Sequence, residues 1–419
     1  LQTTERQLDL LETEIRASRP EFGNLTAPNT LSTKELQTQI DPDTVLLQYA
    51  LGDPVSYLFV ITSDSVHGHQ IPGGEEIEAL ARRAHDALRG RATSREAIAD
   101  RDSQLRRLSE QVLDPAAEHL ESKKRLIVVP DGALNYVPFV ALSVADDNGE
   151  PRPLLLTHEI VSAPSISAMA VHREVMAMRN STDHGIAVFA DPVYTSTDPR
   201  LAELEHQNAT ASGGDIAQAE NLRPNSQLQR LPATAREAAI IASLVPDQQL
   251  FEAIGFDANR NAVLDSDMDG YRIIHLATHG LIDARYPALS SLAMSFYNSA
   301  GEPVDGLIRL HDIYNLNLNA DLVVLSACDT ALGQEVRGEG LIGLTRGFQY
   351  AGSRSVVASL WQVPDRATAE LMRHFYDALL GQGLSVGAAL QQAQQAIAAQ
   401  QRWRDPYYWA AFVVQGEWR

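Results

Sequence analysis

Two residues of this sequence could together carry out thiol chemistry: His279 and Cys328, the single cysteine of the chain. Each closes a short apolar run with the composition of a buried strand, YRIIHLAT before His279 and DLVVLSA before Cys328. A free thiol has a pKa near about 8.5, and a neighbouring imidazolium or helix N-terminus lowers it, which raises the thiolate fraction at neutral pH. The two residues therefore predict a nucleophilic cysteine with a histidine as its base.

Gly280 could serve the same reaction. Because glycine has no Cβ, a substrate carbonyl could approach the backbone there, and the N–H groups of Gly280 and Cys328 could together line an oxyanion hole. The residues just before the thiol, Ser326 and Ala327, are small and leave its approach open.

Each of these residues also has a purely structural interpretation. A cysteine at a strand end is usually a small buried apolar residue, and a lone histidine is more often a satisfied polar group than a base. His275 and His279 have the i, i+4 spacing of a helical zinc pair, but the segment lacks the glutamate of HExxH and predicts a strand. We expect no metal or cofactor, and we expect His275 to pack or hydrogen-bond beneath the site.

The elements that must position these residues follow one another regularly in the second half of the chain. Strand-like runs alternate with helical patterns from AREAAIIASLV to the final helices RATAELMRHFYDALLGQG and SVGAALQQAQQAIAAQQ and the final strand YWAAFVVQG. This alternation predicts a mainly parallel sheet with helices on both faces. Reactive groups gather at the carboxyl ends of such strands, so neighbouring strands would bring the imidazole and the thiol to one edge.

The first half predicts a related but less regular α/β unit. Residues 44–71 predict a hairpin around Gly52-Asp53-Pro54, and two helices and the strand Leu126–Val129 follow. Residues 1–19 predict one amphipathic helix before a linker that is rich in Pro, Asn, Thr and Ser. The polar residues 195–230 predict a long loop, either a processing or gating loop or a disordered insertion.

Composition limits the function classes. The chain has 419 residues, 34 basic and 54 acidic residues and a formal charge of −20, which disfavours a broad nucleic-acid surface. The sequence has no run of eighteen apolar residues, so it predicts no membrane span, and the first residues lack the apolar centre of a signal peptide. A single cysteine allows no internal disulfide, so we expect a reducing compartment, the cytoplasm. The absent initiator Met leads us to expect further residues upstream.

The sequence resembles the CHAT domain, a peptidase related to caspases and separases and often fused to TPR repeats. The resemblance covers roughly residues 40–419 and rests on HLATHG, SACDTALG, GEGLIGLTRGFQYAGSRSVVASLWQVPD, KRLIVVPDGALNYVPFVAL and LPATAREA. As in caspases, the histidine lies about 50 residues before the cysteine.

The resemblance implies a three-layer α/β/α fold with two successive caspase-like units. Residues 1–35 would end an upstream TPR-like region, residues 36–182 would form a unit without a catalytic pair, and residues 183–419 would be catalytic. It also implies peptide-bond hydrolysis by a His279–Cys328 dyad through a thioester, without a cofactor. A specific protein would be the substrate, an upstream TPR-like region or partner protein would regulate the dyad, and the setting would be bacterial defence or signalling.

Many relatives hold a basic P1 side chain with an acidic residue, and SLWQVPD resembles the wall of that pocket. Trp361 and Asp365 are the candidates there, whereas the position of the key acid of separases is Ala369 in this chain. Asp329, beside the nucleophile, and Asp283, after the His-Gly pair, are alternative acids. Besides a peptidase, two other functions fit the residues: a silent binding or scaffold module on the same fold, and an acyl transferase that uses the same dyad.

Overall fold

The computed structural model describes residues 31–145, 150–177, 179, 184–208, 228–283, 286–326 and 339–418. These residues form two compact units, one made of the chain up to Ser181 with the stretch from Val414 and the other within Thr182–Val413. The predicted helix at 1–19, the predicted nucleophile Cys328 and its neighbour Asp329 lie outside the described residues. No helix in the described ranges is both long and apolar enough to cross a membrane.

The first unit is built on a sheet of mixed direction. Its strands are β1 (Thr44–Ala50), β2 (Val55–Ile61), β3 (Val66–Pro72), β4 (Arg125–Val129), β5 (Ser143–Ala145), β6 (Pro151–Pro153) and β7 (Glu159–Ser162). The main sheet has the order β3-β2-β1-β4-β7, while β5 and β6 pair separately. The β1–β4 and β4–β7 pairs are parallel, whereas β1–β2 and β2–β3 are antiparallel.

The helices of the first unit are α1 (Thr33–Thr38), α2 (Gly74–Leu88), α3 (Arg95–Val112), α4 (Ala117–Leu120) and α5 (Ile166–Ala177). The strand predicted at Leu126–Val129 is confirmed, and all four residues are buried, as expected for an apolar run covered on both faces. The hairpin is confirmed only in part, because its second run forms two strands. The Thr62 hydroxyl bonds to Asp64 and Ser65 and closes a polar turn between β2 and β3.

The second unit contains a parallel sheet with the strand order β15-β14-β10-β8-β9. The strands of the unit are β8 (His184–Ala190), β9 (Leu250–Ile254), β10 (Tyr271–Ala277), β11 (His279–Leu281), β12 (Ser291–Ala293), β13 (Leu307–Arg309), β14 (Leu322–Leu325) and β15 (Ser355–Ser359). The prediction of an α/β fold with a mainly parallel sheet is therefore confirmed. The last strand of the chain is β16 (Phe412–Gly416), and its Val414 and Gln415 pair in parallel with Val161 and Ser162 of β7.

One predicted strand is interrupted at the point that matters for chemistry. The run YRIIHLATHG leaves the parallel sheet after Ala277, and His279 begins β11 of a separate antiparallel sheet with the order β11-β12-β13. Thr278 lies at the break, where its hydroxyl donates to the carbonyl of Ala293 on β12. A side-chain hydrogen bond therefore links the break in the strand to the antiparallel sheet.

The helices of the second unit are α6 (Pro199–Asn208), α7 (Pro232–Ser243), α8 (Arg260–Leu264), α9 (Leu310–Asn315), α10 (Glu339–Ala351), α11 (Asp365–Tyr376) and α12 (Val386–Ala398). The prediction that 195–230 is a loop throughout is wrong at α6, because Leu201 and Leu204 pack against Val193 and Tyr297. Residues 209–227 of the predicted loop lie outside the described residues.

Candidate active site

A cleft of about 280 Å³ lies in the second unit and contains His279. Its walls come from the lead-in and first turn of α7, from the residue after β14, from the segment between β15 and α11, and from Tyr407. The lining residues are Gln229, Arg230, Leu231, Thr234, His279, Ser326, Ser359, Gln362, Val363, Pro364, Asp365, Thr368 and Tyr407. His279 and Ser326 follow the carboxyl ends of β10 and β14, which are neighbouring parallel strands. This is the edge at which doubly wound sheets place ligands.

The ring of His279 is held in a definite orientation. The residue is only 2% exposed, and its Nε2 lies 2.7 Å from the carbonyl oxygen of Gln229. A carbonyl only accepts hydrogen bonds, so Nε2 must carry the proton. In the neutral ring Nδ1 is then the unprotonated nitrogen, and His279 is equipped to accept a proton there.

Tyr194 supports the other side of this histidine. Its ring centroid lies 5.0 Å from that of His279, at an interplanar angle of 57°. Its hydroxyl lies 2.9 Å from the Thr278 hydroxyl, which itself donates to Ala293, so Tyr194 is the donor of this pair. Burial raises the pKa of Tyr194 above its usual value, so the hydroxyl stays protonated. The imidazole is thus positioned by a hydrogen bond to Gln229 and by ring packing against Tyr194.

Asp365 places a carboxylate in the same cleft. It is the first residue of α11, and its Oδ2 accepts the backbone N–H of Ala233 in the first turn of α7 at 2.7 Å. Burial raises the pKa of this carboxyl, the carboxylates of Glu237 and Asp191 raise it further, and the Ala233 N–H and His279 oppose the rise. No other described residue donates a hydrogen bond to it, so its second oxygen is left for a ligand.

A charge network borders the cleft beside Arg230. This residue donates two hydrogen bonds to Asp191, from Nε to Oδ1 at 2.8 Å and from Nη2 to Oδ2 at 2.7 Å. Those bonds raise the pKa of Arg230. Arg200 also bonds to the Asp191 carbonyl and to the buried carboxylate of Asp198. Asp191 has a positive φ of 50°, rare for a residue with a side chain, so its backbone is held by these contacts.

Ser326 presents an unsatisfied hydroxyl to the cleft. The residue is 1% exposed, and its Oγ has no hydrogen-bond partner among the described residues. A buried hydroxyl without a partner costs about 1–3 kcal/mol, and such groups in native proteins call for an explanation. Its position on the wall of the cleft leaves it available to a ligand.

Three other predicted site residues, Gly280, Trp361 and Asp283, are not among the residues that line the cleft. Gly280 is buried in β11 opposite Leu292 and is not one of the lining residues. Trp361 is 3% exposed and donates its indole N–H to the carbonyl of Tyr407 at 2.9 Å, so it lies behind a lining residue. Asp283 lies outside the cleft and accepts the N–H of Tyr286 in a turn. Cys328 and Asp329 lie outside the described residues.

Sequence reasoning missed several contributors to the cleft. Gln229 acts through its backbone carbonyl, a group that every residue carries, so no signal in its side chain could have identified it. Ser326 was noted only for its small size. Asp191 had a usable signal, because it ends an apolar strand in the run FADP, the position at which functional groups gather in parallel sheets.

Comparison with known families and proteins gives a consistent match. The profile of a family described as the CHAT domain matches residues 102–417. Tetratricopeptide repeat protein 28 of Homo sapiens is 24% identical over 327 residues, which are 70% of this chain and 12% of that protein. The protein of the same name from Mus musculus is 24% identical over 329 residues, with the same shares. The chain therefore spans a small part of the length of these relatives.

Two solved structures show a weaker likeness. The separase–securin complex of Saccharomyces cerevisiae has 10% sequence identity and a TM-score of 0.49, with 97% of this chain and 31% of that chain covered. The complex of pro- and mature domains of Porphyromonas gingivalis RgpB has 10% identity and a TM-score of 0.40, with 82% of this chain and 76% of that chain covered.

Proposed function

The chain belongs to the CHAT domain family, and from this premise we propose that it is a cysteine endopeptidase with His279 as the base and Cys328 as the nucleophile. The observation that carries the proposal is the hydrogen bond from Nε2 of His279 to the Gln229 carbonyl, at 2.7 Å, at the edge of a cleft. It leaves Nδ1 as the proton acceptor, and Cys328 follows Ser326 of the cleft wall by two residues.

In the proposed reaction, Nδ1 of His279 accepts the proton of the Cys328 thiol, and the resulting thiolate attacks the carbonyl carbon of the scissile peptide bond. The C–N bond then breaks, the leaving amine takes the proton from the imidazolium, and a thioester remains. Water, deprotonated by His279, attacks the thioester, and the acid product leaves as the thiol is regenerated. Backbone N–H groups of Gly280 and Cys328 are proposed to stabilise the oxyanion.

We further propose that the cleft receives a basic P1 side chain. The support is Asp365, whose carboxylate lies in the cleft with one oxygen bound to Ala233 and the other without a described donor. A guanidinium or ammonium group would supply that donor and a compensating charge. Asp365 is preferred to Asp283, because Asp283 is absent from the lining residues and serves a turn.

The substrate is proposed to be a specific protein, and control is proposed to come from a TPR-like region upstream or in a partner protein. The support for such control is the similarity to Tetratricopeptide repeat protein 28, whose name records those repeats. The role in bacterial defence or signalling that the resemblance implies stays a prediction.

The test is digestion of a peptide library by the chain and by Cys328→Ala, with the products read by mass spectrometry. We expect cuts by the cysteine form alone, and a loss of roughly a thousandfold or more in rate for the variant, since the nucleophile is removed. Cuts that persist in Cys328→Ala would overturn the proposal. If neither form cuts, the rate of alkylation of Cys328 is compared between the chain and His279→Gln. An alkylation rate that His279→Gln leaves unchanged would show that Cys328 does not form a dyad with His279. A scaffold function would then replace the peptidase.

A further inference from the structure

Three polar residues meet in the interior of the second unit and take no part in the proposed reaction: Glu237, His275 and Tyr376. They are 1%, 0% and 0% exposed, so each is out of contact with solvent. They come from α7, β10 and α11, which are elements that border the cleft at one end. Ionisable groups are seldom buried this deeply, and when they are buried they must be paired.

His275 joins the other two residues. Its Nε2 lies 2.6 Å from Oε1 of Glu237, and its Nδ1 lies 2.8 Å from the hydroxyl oxygen of Tyr376. The rings of His275 and Tyr376 meet edge to face, with centroids 5.5 Å apart. The Glu237 contact is close but poorly aligned, because neither carboxylate oxygen has a well-directed hydrogen bond from any described residue. Within the described ranges, His275 is the only basic side chain at ion-pair distance from Glu237.

Burial makes each polar contact of this cluster important for stability. An isolated carboxylate in such a place would cost several kcal/mol, and among the described residues His275 is the basic group that lies beside Glu237. On the other side of the imidazole, Nδ1 of His275 and the Tyr376 hydroxyl share a hydrogen bond. Burial raises the pKa of Tyr376 well above its usual value, so its hydroxyl does not ionise.

The pair lies on the two segments that orient the base. Glu237 is eight residues after Gln229, whose carbonyl holds the ring of His279, and His275 is four residues before His279. The segment from Gln229 to Glu237 therefore touches the stretch from His275 to His279 at both ends. A displacement of α7 against β10 would separate the Gln229 carbonyl from the imidazole.

We propose that Glu237, His275 and Tyr376 are positioning residues for the active site: the two buried contacts of His275 hold α7 and α11 against β10 and so keep the Gln229 carbonyl on Nε2 of His279. None of the three touches substrate. The consequence for catalysis rests on the proposed function, whereas the orientation of the His279 ring does not. Loss of the contact would free the ring to turn, and Nδ1 would no longer face one fixed direction.

The experiment follows the Nε2–H proton of His279 by NMR, with ¹⁵N-labelled histidine and with His279→Gln to assign the signal. The variants are Glu237→Leu, which removes the partner, and Glu237→Gln, which keeps an amide that can bond to His275 without a charge. Tyr376→Phe is a milder change, because it removes one hydroxyl at nearly constant volume, and it serves if Glu237→Leu does not fold. Alkylation of Cys328, the single cysteine, is measured in parallel.

We expect Glu237→Leu or Tyr376→Phe to broaden or shift the His279 signal and to slow alkylation at neutral pH by roughly tenfold, the effect of one unit in thiol pKa. Glu237→Gln is expected to restore both. A His279 signal that is unchanged in a folded Glu237→Leu or Tyr376→Phe variant overturns the inference, even if the melting temperature falls. If the signal responds but wild-type alkylation does not depend on His279, the positioning role stands and the proposed function fails.

Discussion

At the scale of residues, the cleft is defined by groups that have only part of their bonding satisfied. His279 donates a hydrogen bond from Nε2 and has Nδ1 as its second nitrogen. Asp365 accepts a hydrogen bond through one oxygen, its other oxygen has no described donor, and Ser326 has no described partner. Folded proteins satisfy most buried polar groups, so the buried Ser326 hydroxyl, beside the free acceptor positions of His279 and Asp365, indicates a site that a ligand completes.

Replacement of Asp365 tests the residue-scale argument. The pKa of Asp365 is raised in the folded protein, chiefly by burial, so between its unfolded and folded pKa values the folded state binds the extra proton. Stability therefore falls as pH rises through this window, which starts near 3.8, and Asp365→Asn should melt slightly higher at pH 7. The same variant should lose roughly tenfold or more in kcat/KM for Arg or Lys at P1, because the charge partner is gone.

Calorimetry at pH 7 and pH 4 and cleavage of matched peptides with Arg or Leu at P1 check both expectations. Asp283→Asn, on the turn outside the cleft, is the matched control and should leave the P1 preference in place. A variant Asp365→Asn that keeps its preference for basic residues would assign the pocket to another acid.

At the scale of elements, the parallel sheet was predictable because short apolar runs alternate with helical periodicity through the second half of the chain. The three-stranded sheet was not, because β11, β12 and β13 have three residues each and so carry no usable periodicity. The break after Ala277 is accompanied by the bond from Thr278 to Ala293, a contact between residues that sequence patterns do not pair. His279 was predictable as a residue, but its tautomer depends on a backbone atom of Gln229.

The prediction at the scale of elements concerns Thr234, which lies in the first turn of α7. Thr234 is 1% exposed, its Oγ accepts the N–H of Asp191 at 2.9 Å, and it donates to the Leu231 carbonyl at 2.7 Å. Thr234→Val keeps the shape but removes the acceptor of the Asp191 N–H, whereas the Leu231 carbonyl keeps its bond from the Thr234 N–H. We therefore expect a loss of about 1–3 kcal/mol in the free energy of unfolding. Thr234→Ser keeps the hydroxyl and should lose clearly less. Urea unfolding measures both, and a loss for Thr234→Ser that equals or exceeds the loss for Thr234→Val would show that the hydroxyl is not the main contributor.

At the scale of the whole molecule, the chain returns at its end to the first unit. Arg173 on α5 binds Glu417 through two nitrogens, one of them at 2.7 Å, and donates to the carbonyl and side-chain oxygens of Gln39 at 3.0 Å. Its guanidinium lies 4.0 Å from the ring centroid of Trp418. The Arg173 side chain thus connects three parts of the first unit: Gln39 before β1, helix α5, and the residues Glu417 and Trp418 after β16.

Arg173→Ala should therefore destabilise the first unit far more than the loss of a surface arginine. The side chains of Arg173 and Glu417 are 16% and 6% exposed, so removal of the arginine breaks a buried ion pair, at a cost of about 3–5 kcal/mol. Arg82→Ala is the control, because Arg82 is 65% exposed and pairs with Glu78 one turn away on α2, so its removal should cost less than about 1 kcal/mol.

Both variants lie in the first unit, so their calorimetric melting temperatures can be compared directly. Equal melting temperatures would show that the contact of Arg173 with the chain end does not hold the unit together. A lower melting temperature for Arg173→Ala alone would support the contact. Partial recovery in Arg173→Lys would show that the positive charge contributes and that the planar guanidinium with its two hydrogen bonds contributes as well.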